Sequence, residues 1–436
     1  MSSISVIGAG YVGLVTGACF AEMGNRVVCI DSDRAKIAAL NDGHVPFFEP
    51  GLDELVQRNV RAGRLSFHTS IAGGIRAAAF VFIAVGTPMG SDGQVDLGNV
   101  KATALEIGES IDSNSIVVNK STVPVETSDL VAAMINKNKT GLLQVGFASN
   151  PEFLREGSAI EDFMHPDRIV IGASNAQQAA VVASLYASLD TRIIFTDVRT
   201  AEMIKYSANA FLATKISFIN EIAQICDRIG VDVRDVAQGI GSDKRIGPLS
   251  LDAGLGFGGS CLPKDVLVLA RVAESNRVQP LLLRSVLDVN QAQIRRVVDR
   301  LDEALGTLHA RNVAVLGLSF KPNTDDIRES PAIALIRALT AKRAHVRVHD
   351  PKSISKARLE LSDSVVYAST AYEAAEQVDA VIVATDWSEY KQIDLVLLAS
   401  RMRGKLLIDA RNIFDPATAM EAGLSYSGLG RQSLGT

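Results

Sequence analysis

Short apolar runs, rich in β-branched residues, alternate with helix-spaced stretches through the first 200 residues. Ser5-Val6-Ile7, Val27-Val28-Cys29-Ile30, Phe80-Val81-Phe82-Ile83-Ala84-Val85, Ser115-Ile116-Val117-Val118-Asn119 and Val145-Gly146-Phe147-Ala148 read as buried strands, each closed by a turn signal. Such strands separated by helices predict a parallel sheet covered on both faces. Arg168–Gly172 and Arg192–Phe195 add a strand pair around an Ala-rich helix. The alternation resumes near Asn312 with Val313–Gly317, Val346–Asp350, Ala380–Ala384 and Leu406–Asp409, predicting a second, smaller parallel sheet. Between the two, apolar residues at 204, 208, 211, 218, 222, 226 and 229 keep a helical period, with no Gly or Pro before Gly230. A long central helix is expected there, with Thr200 capping its start, Glu202 complementing its dipole and Gly230 ending it. From about Gly430 the chain reads as an untethered tail.

Composition narrows the class. The 436 residues are 47% hydrophobic and 21% charged, enough for substantial cores and too little charge for disorder. A net charge of −5 gives no reason to expect nucleic acid as a partner. The opening Met-Ser-Ser-Ile-Ser-Val-Ile-Gly enters a strand at once, leaving no room for a signal-peptide core. No run of about 18 apolar residues predicts a membrane span. Cys19, Cys29, Cys226 and Cys261 include no C-x-x-C pair, so neither a disulfide framework nor a metal site is expected. A cytoplasmic protein with no membrane partner is the reading.

Gly8-Ala9-Gly10-Tyr11-Val12-Gly13 is G-x-G-x-x-G directly after a strand and opening a helix. Gly8 allows the tight turn, Gly10 lets a pyrophosphate approach the backbone, and Gly13 brings helix and sheet together. The next strand ends at Asp31, placed to accept from the adenosine ribose hydroxyls and to repel a 2′-phosphate. NAD is therefore favoured over NADP, although Arg34 and Lys36 stand nearby. Thr87, in Val85-Gly86-Thr87-Pro88, fits the cofactor-side edge of the same sheet.

A second glycine-rich stretch, Gly254-Leu255-Gly256-Phe257-Gly258-Gly259-Ser260-Cys261-Leu262-Pro263-Lys264-Asp265, ends in a cysteine followed by a cation and a carboxylate. Clustered glycines are tolerated where backbone passes close to a ligand. A thiol in that company can be a reactive thiolate, while the other three cysteines lie in strand or helix patterns.

Several blocks in fixed order carry a family resemblance: the Gly8–Gly13 motif, Lys120-Ser121-Thr122-Val123-Pro124, Asn150–Gly157, Lys205-Tyr206-Ser207-Ala208-Asn209, Gly256–Asp265, and Phe320-Lys321-Pro322 through Ser330. Over nearly its whole length the chain resembles the nucleotide-sugar 6-dehydrogenases of the UDP-glucose/GDP-mannose dehydrogenase family. That resemblance implies an α/β fold of two Rossmann-like doubly wound parallel-sheet domains joined by a long central helix. The segments would be 1–199 for NAD, 200–300 for dimerisation and the cysteine loop, and 301–436 for the UDP-sugar. It implies NAD-dependent four-electron oxidation of a primary alcohol to a carboxylate, in support of polysaccharide biosynthesis. A thiohemiacetal and then a thioester on Cys261 would keep the aldehyde bound. UDP-glucose is the expected substrate, with GDP-mannose or a UDP-N-acetylhexosamine as the alternative. A single-step β-hydroxyacid dehydrogenase would need neither the thiol nor the second sheet.

The same resemblance assigns roles. Lys205 and Asn209, four apart on one helix face, would donate to the oxygen that becomes negative. Glu152 would be the base for thioester hydrolysis, assisted by Thr122 and Asp265, although Asp265 could instead be a plain helix-start carboxylate. Gly8, Gly10, Tyr11, Val12, Gly13, Asp31, Lys36, Thr87, Ser121, Thr122, Glu156, Lys264 and Arg328 would hold the cofactor. The substrate would meet Glu152, Phe153, Leu154, Arg155, Glu156, Lys205 and Asn209. It would also meet the Ser250-Leu251-Asp252-Ala253-Gly254 loop, Phe257, Gly258, Phe320, Lys321 and Arg411. Arg245 is expected to reach in from the second copy of a homodimer paired through the central helix. Two positions depart from the family pattern: Glu126 stands where relatives often carry glycine, and Leu255 where proline is common.

Overall fold

The apolar runs form strands whose neighbours are almost all parallel. A computed structural model describes residues 1–90 and 93–431 and falls into two units, Met1–Ala208 and Asn209–Thr436. In the first unit the strands are β1 (Ser3–Ile7), β2 (Arg26–Ile30), β3 (Leu65–His68), β4 (Phe80–Ile83), β5 (Ser115–Asn119), β6 (Val145–Ser149), β7 (Ile169–Ala173) and β8 (Ile193–Thr196). They hydrogen-bond in the order β3-β2-β1-β4-β5-β6-β7-β8, whose first six positions follow the doubly wound dinucleotide order. Successive residues bury on opposite faces: Val6 and Phe82 join one core, Ile7, Val81 and Ile83 the other. The sheet is thus covered on both sides, which is why its central strands are apolar throughout.

One pairing breaks the parallel rule. β7 runs antiparallel to β6, with Ser149 opposite Gly172, and β8 runs parallel to β7. β8 therefore delivers the chain to the edge where β1–β6 begin. The central helix, Val198–Ile229, starts there and climbs back toward the carboxyl ends of β1–β6. Over the seven residue steps from Val198 to Lys205 a helix rises about 10 Å, comparable to the length of a short strand. The cap differs from expectation. Asp197, not Thr200, closes the start, its carboxylate accepting the Thr200 N–H at 2.9 Å and the Thr200 hydroxyl at 2.6 Å.

Glu202 serves a different helix from its own. Its buried carboxylate accepts the N–H groups of Glu126 and Ser128 and the Ser128 hydroxyl, capping the helix Thr127–Asn138. Glu126 sits at φ +79°, a left-handed conformation that glycine adopts at less cost. Gly230, at φ +74°, ends the central helix as expected.

In the second unit β9 (Asn312–Leu316), β10 (His345–His349), β11 (Val366–Tyr367), β12 (Ala380–Val383), β13 (Leu406–Asp409) and β14 (Ser425–Gly428) pair in the order β11-β10-β9-β12-β13-β14. All these neighbours are parallel, and Val313 and Val315 again face a different core from Ala314 and Leu316. The chain is not untethered at Gly430. The Gly430 carbonyl accepts Val233 N–H at 2.8 Å, its N–H reaches Asp227 at 2.9 Å, and buried Arg431 pairs with Asp232 at 2.9 Å. Residues 432–436, the rest of that expected tail, lie outside the described residues. Among the described residues no helix is long and apolar enough to cross a membrane.

Candidate active site

In the first unit the glycine-rich turn is built for close approach. Gly8 has φ +99° and a Cβ there would lie 2.5 Å from Ala84 O, while a Cβ at Gly13 would lie 1.7 Å from Gly8 O. Gly10 has nothing within 4 Å of a Cβ position, so its backbone is open to an anion at the helix N-terminus. Asp31 accepts Ala9 N–H at 2.9 Å, Asp33 N–H at 3.0 Å and the Lys36 ammonium at 2.7 Å. Burial alone would raise the Asp31 carboxyl; Lys36 and those N–H groups outweigh it and hold it below the usual carboxylate range. These residues fit a dinucleotide. Thr87 and Ser121 tie the loops after β4 and β5 together, Thr87 Oγ1 donating to Thr122 O at 2.9 Å and Ser121 Oγ to Val85 O at 2.8 Å.

Tyr11 and half-buried Val12 begin the following helix. The Tyr11 hydroxyl donates to Glu49 and accepts Gly157 N–H at 2.9 Å. Glu49 also takes the N–H groups of Gly157 and Ala159. Burial, then Glu49, then Glu156 push the tyrosine pKa far above its ordinary value. Glu49 had no signal in the sequence, because its work is accepting from backbone more than a hundred residues away.

Beyond the carboxyl end of β6 lies a buried ion pair. Glu152 and Lys205, each 5% exposed in the side chain, form an ion pair at 2.9 Å, and Glu152 also accepts Leu154 N–H at 2.6 Å. Phe153 lies beneath the Arg168 guanidinium at 3.7 Å, with Lys205 Nζ 5.4 Å from its ring. Arg155 is held by Asp162, through its N–H at 2.7 Å and through its guanidinium.

In the second unit Cys261 is exposed at the N-cap of the helix Leu262–Ser275, with Ser260 Oγ 3.6 Å from its sulfur. A helix N-terminus favours an anionic sulfur. Cys19, Cys29 and Cys226 are buried, and burial pushes the Cys19 and Cys29 thiols up to about 12. Asp265 is not an exposed helix-start carboxylate. It is fully buried and takes the Asn209 amide on one oxygen and the Lys264 ammonium on the other, each at 2.6 Å.

At Gly258 the loop has no room for a side chain: a Cβ there would lie 2.2 Å from Glu329 O. Three asparagines supply its backbone partners. Asn220 accepts Gly254 N–H at 2.8 Å, Asn412 donates to Ala253 O at 3.3 Å, and Asn290 both accepts from and donates to the main chain of Phe257. Leu255 is fully buried and its N–H bonds Ala410 O at 3.0 Å, a contact proline cannot make. Arg411 gathers the surroundings, donating to Ala384 O at 2.7 Å, Gly256 O at 3.3 Å and Phe320 O at 3.4 Å. Gly254, Phe257, Phe320 and Arg411 thus come together, with half-buried Lys321 beside the Phe320 ring. Ahead of them Ser250 takes φ +65°, Leu251 and Ala253 are buried and Asp252 is exposed. Two arginines are engaged elsewhere. Arg245 chelates Asp243 with its side chain 88% exposed, and Arg328 chelates Asp326 while its carbonyl accepts Gly259 N–H.

Residues 2–190 match the NAD binding domain of the UDP-glucose/GDP-mannose dehydrogenase family, residues 199–292 its central domain and residues 314–416 its UDP binding domain. The chain belongs to the UDP-glucose/GDP-mannose dehydrogenase family. Within it, the UDP-glucose 6-dehydrogenase TuaD of Bacillus subtilis is 46% identical over 434 residues, covering 100% of this chain and 94% of that protein. A UDP-glucose dehydrogenase from the archaeon Pyrobaculum islandicum superposes with a TM-score of 0.93 at 44% identity, covering 99% of this chain and 98% of the other. A UDP-D-ManNAc dehydrogenase from Pyrococcus horikoshii has a TM-score of 0.87 at 28% identity, with 98% and 99% covered. The glycine turn and Asp31 lie within the residues matched by the NAD binding domain; Phe320, Lys321 and Arg411 lie within those matched by the UDP binding domain, and Gly254 and Phe257 within those matched by the central domain.

Proposed function

We propose that this chain oxidises UDP-glucose to UDP-glucuronate, with Cys261 holding the sugar carbon between the two oxidations. The observation that carries the covalent step is the exposure of Cys261 at a helix N-terminus, against three buried cysteines. The choice of sugar is supported by identities of 44% and 46% to UDP-glucose enzymes, against 28% to one acting on UDP-D-ManNAc.

NAD, when bound, supplies the hydride acceptor for each oxidation. Loss of a hydride and the hydroxyl proton turns the C6 alcohol into an aldehyde. The Cys261 thiolate then adds to the aldehyde carbon, forming a C–S bond and, after protonation, a thiohemiacetal. Loss of a second hydride and a proton leaves a thioester on Sγ. Glu152 takes one proton from water, whose oxygen attacks the thioester carbon; the C–S bond breaks, the thiolate returns, and the carboxylic acid formed gives its remaining proton to solvent and departs as the carboxylate. Thr122 and Asp265 assist in moving these protons. Lys205 and Asn209 donate to the oxygen that carries negative charge, where removing a donor costs about 2.7–4 kcal/mol of barrier. The Gly254–Gly258 loop, Phe320, Lys321 and Arg411 hold the UDP moiety.

We further infer a homodimer. Phe211, Phe218, Ile225 and Ile229 leave an apolar stripe exposed along the central helix, which a second copy would cover, and Arg245 of that copy would complete the substrate site. In this scheme residues 1–199 serve the cofactor, 200–300 pairing and the thiol, and 301–436 the nucleotide.

The test is NADH stoichiometry with UDP-glucose. The parent should yield about two NADH per sugar, and Cys261→Ser should fail to complete oxidation to the carboxylate. One NADH per sugar with free aldehyde from the parent would defeat the covalent scheme.

A further inference from the structure

Lys120 is a buried ammonium that none of these steps employs. It follows β5, is 5% exposed, and donates to the main-chain and side-chain oxygens of Asn150 at 3.3 and 3.1 Å. Asn150 Oδ1 also takes the Tyr186 hydroxyl at 2.5 Å, and Asn150 Nδ2 donates to Val170 O at 2.8 Å. Asn150 stands two residues before Glu152, so the lysine anchors the root of the segment that carries the carboxylate.

The charged groups that bear on Lys120 are Glu152, which favours its protonated form, and Lys205, which opposes it. Burial exceeds both and brings the ammonium down to about 8. Tyr186 is the other titratable group at Asn150, its hydroxyl raised by burial. Two buried cations therefore share one buried anion.

We propose that Lys120 is a positioning residue for Glu152, anchoring its segment through Asn150 and setting a second positive charge near the carboxylate. This rests on Glu152 acting as the base in the reading above.

The test compares the pH dependence of kcat in the full-length enzyme for the parent, Lys120→Met, Lys120→Gln, Lys120→Arg, Asn150→Ala and Glu152→Gln. Removing a neighbouring cation raises a carboxylate pKa, so the acid limb of Lys120→Met should move up by about one pH unit, a roughly tenfold loss at fixed pH on that limb. The deficit should vanish at higher pH. Lys120→Gln keeps a donor to Asn150 and should shift alike, which covers the case in which the methionine variant does not fold. Lys120→Arg should keep the parent limb, and Asn150→Ala should lower kcat without moving it. An unmoved limb in the neutral variants, with Glu152→Gln inactive, would overturn this inference alone. Turnover surviving in Glu152→Gln would overturn the base assignment and this inference together.

Discussion

Asp31 and Asp350 occupy the same station, the end of the second strand in each sheet, and they are used differently. Asp350 is buried and saturated: its oxygens take the N–H groups of Leu318, Ser319, Lys352 and Ser353, the Ser319 hydroxyl and the Trp387 indole. No lone pair is left for a ribose. Asp31 makes fewer contacts and faces the open turn at Gly10. Asp31→Asn should raise KM for NAD about tenfold and narrow the preference over NADP, measured by initial rates with each cofactor. A variant whose cofactor preference is unchanged would remove Asp31 from the ribose site. The glycines, Asp31 and Cys261 were legible because their residue types announce their chemistry at short range. Glu49, Asn220 and Asn290 were not, because each acts on backbone groups brought near only by the fold.

At the scale of elements, strand legibility followed burial. The central strands were visible as apolar runs. β3, β11 and β14 carry no such run; each is an edge strand, and Leu65-Ser66-Phe67-His68 alternates buried and exposed positions over four residues. The central helix was visible by its period, yet its stripe of residues 211, 218 and 229 is exposed, and Tyr206, Ala210, Ala213, Ser217, Asn220 and Ala223 are buried instead. Periodicity reports that a face is apolar and not what covers it. Phe218→Glu places a charge on that stripe and should roughly halve the mass seen by light scattering in dilute solution, with secondary structure intact. A parent that is already monomeric would sink the pairing scheme.

At the scale of the whole molecule the chain carries two sheets that share the order 3-2-1-4-5-6, each turning after its first strand through a glycine near φ +100°, Gly8 and Gly317. The second sheet also contains a pH-sensitive position. His349 is buried against Tyr390, at 3.0 Å between Nδ1 and the hydroxyl. Burial holds its pKa below the ordinary 6.5. As pH falls below about 6.5 the unfolded chain binds a proton that the folded one refuses, so stability is full above that pH and lost progressively below it. His349→Gln should therefore flatten the decline of Tm between about pH 7 and pH 5, measured by calorimetry. An equally steep decline in the variant would place the acid sensitivity elsewhere.

The reversed strand pair has a consequence of its own. Because β7 and β8 return the chain to the starting edge, two helical turns are what carry Lys205 to Glu152. Deleting one residue between Val198 and Lys205 would swing the ammonium by about 100° around the axis, out of phase with its carboxylate. That stretch works as a ruler, and indels there are forbidden unless they come in whole turns with a matching change of height.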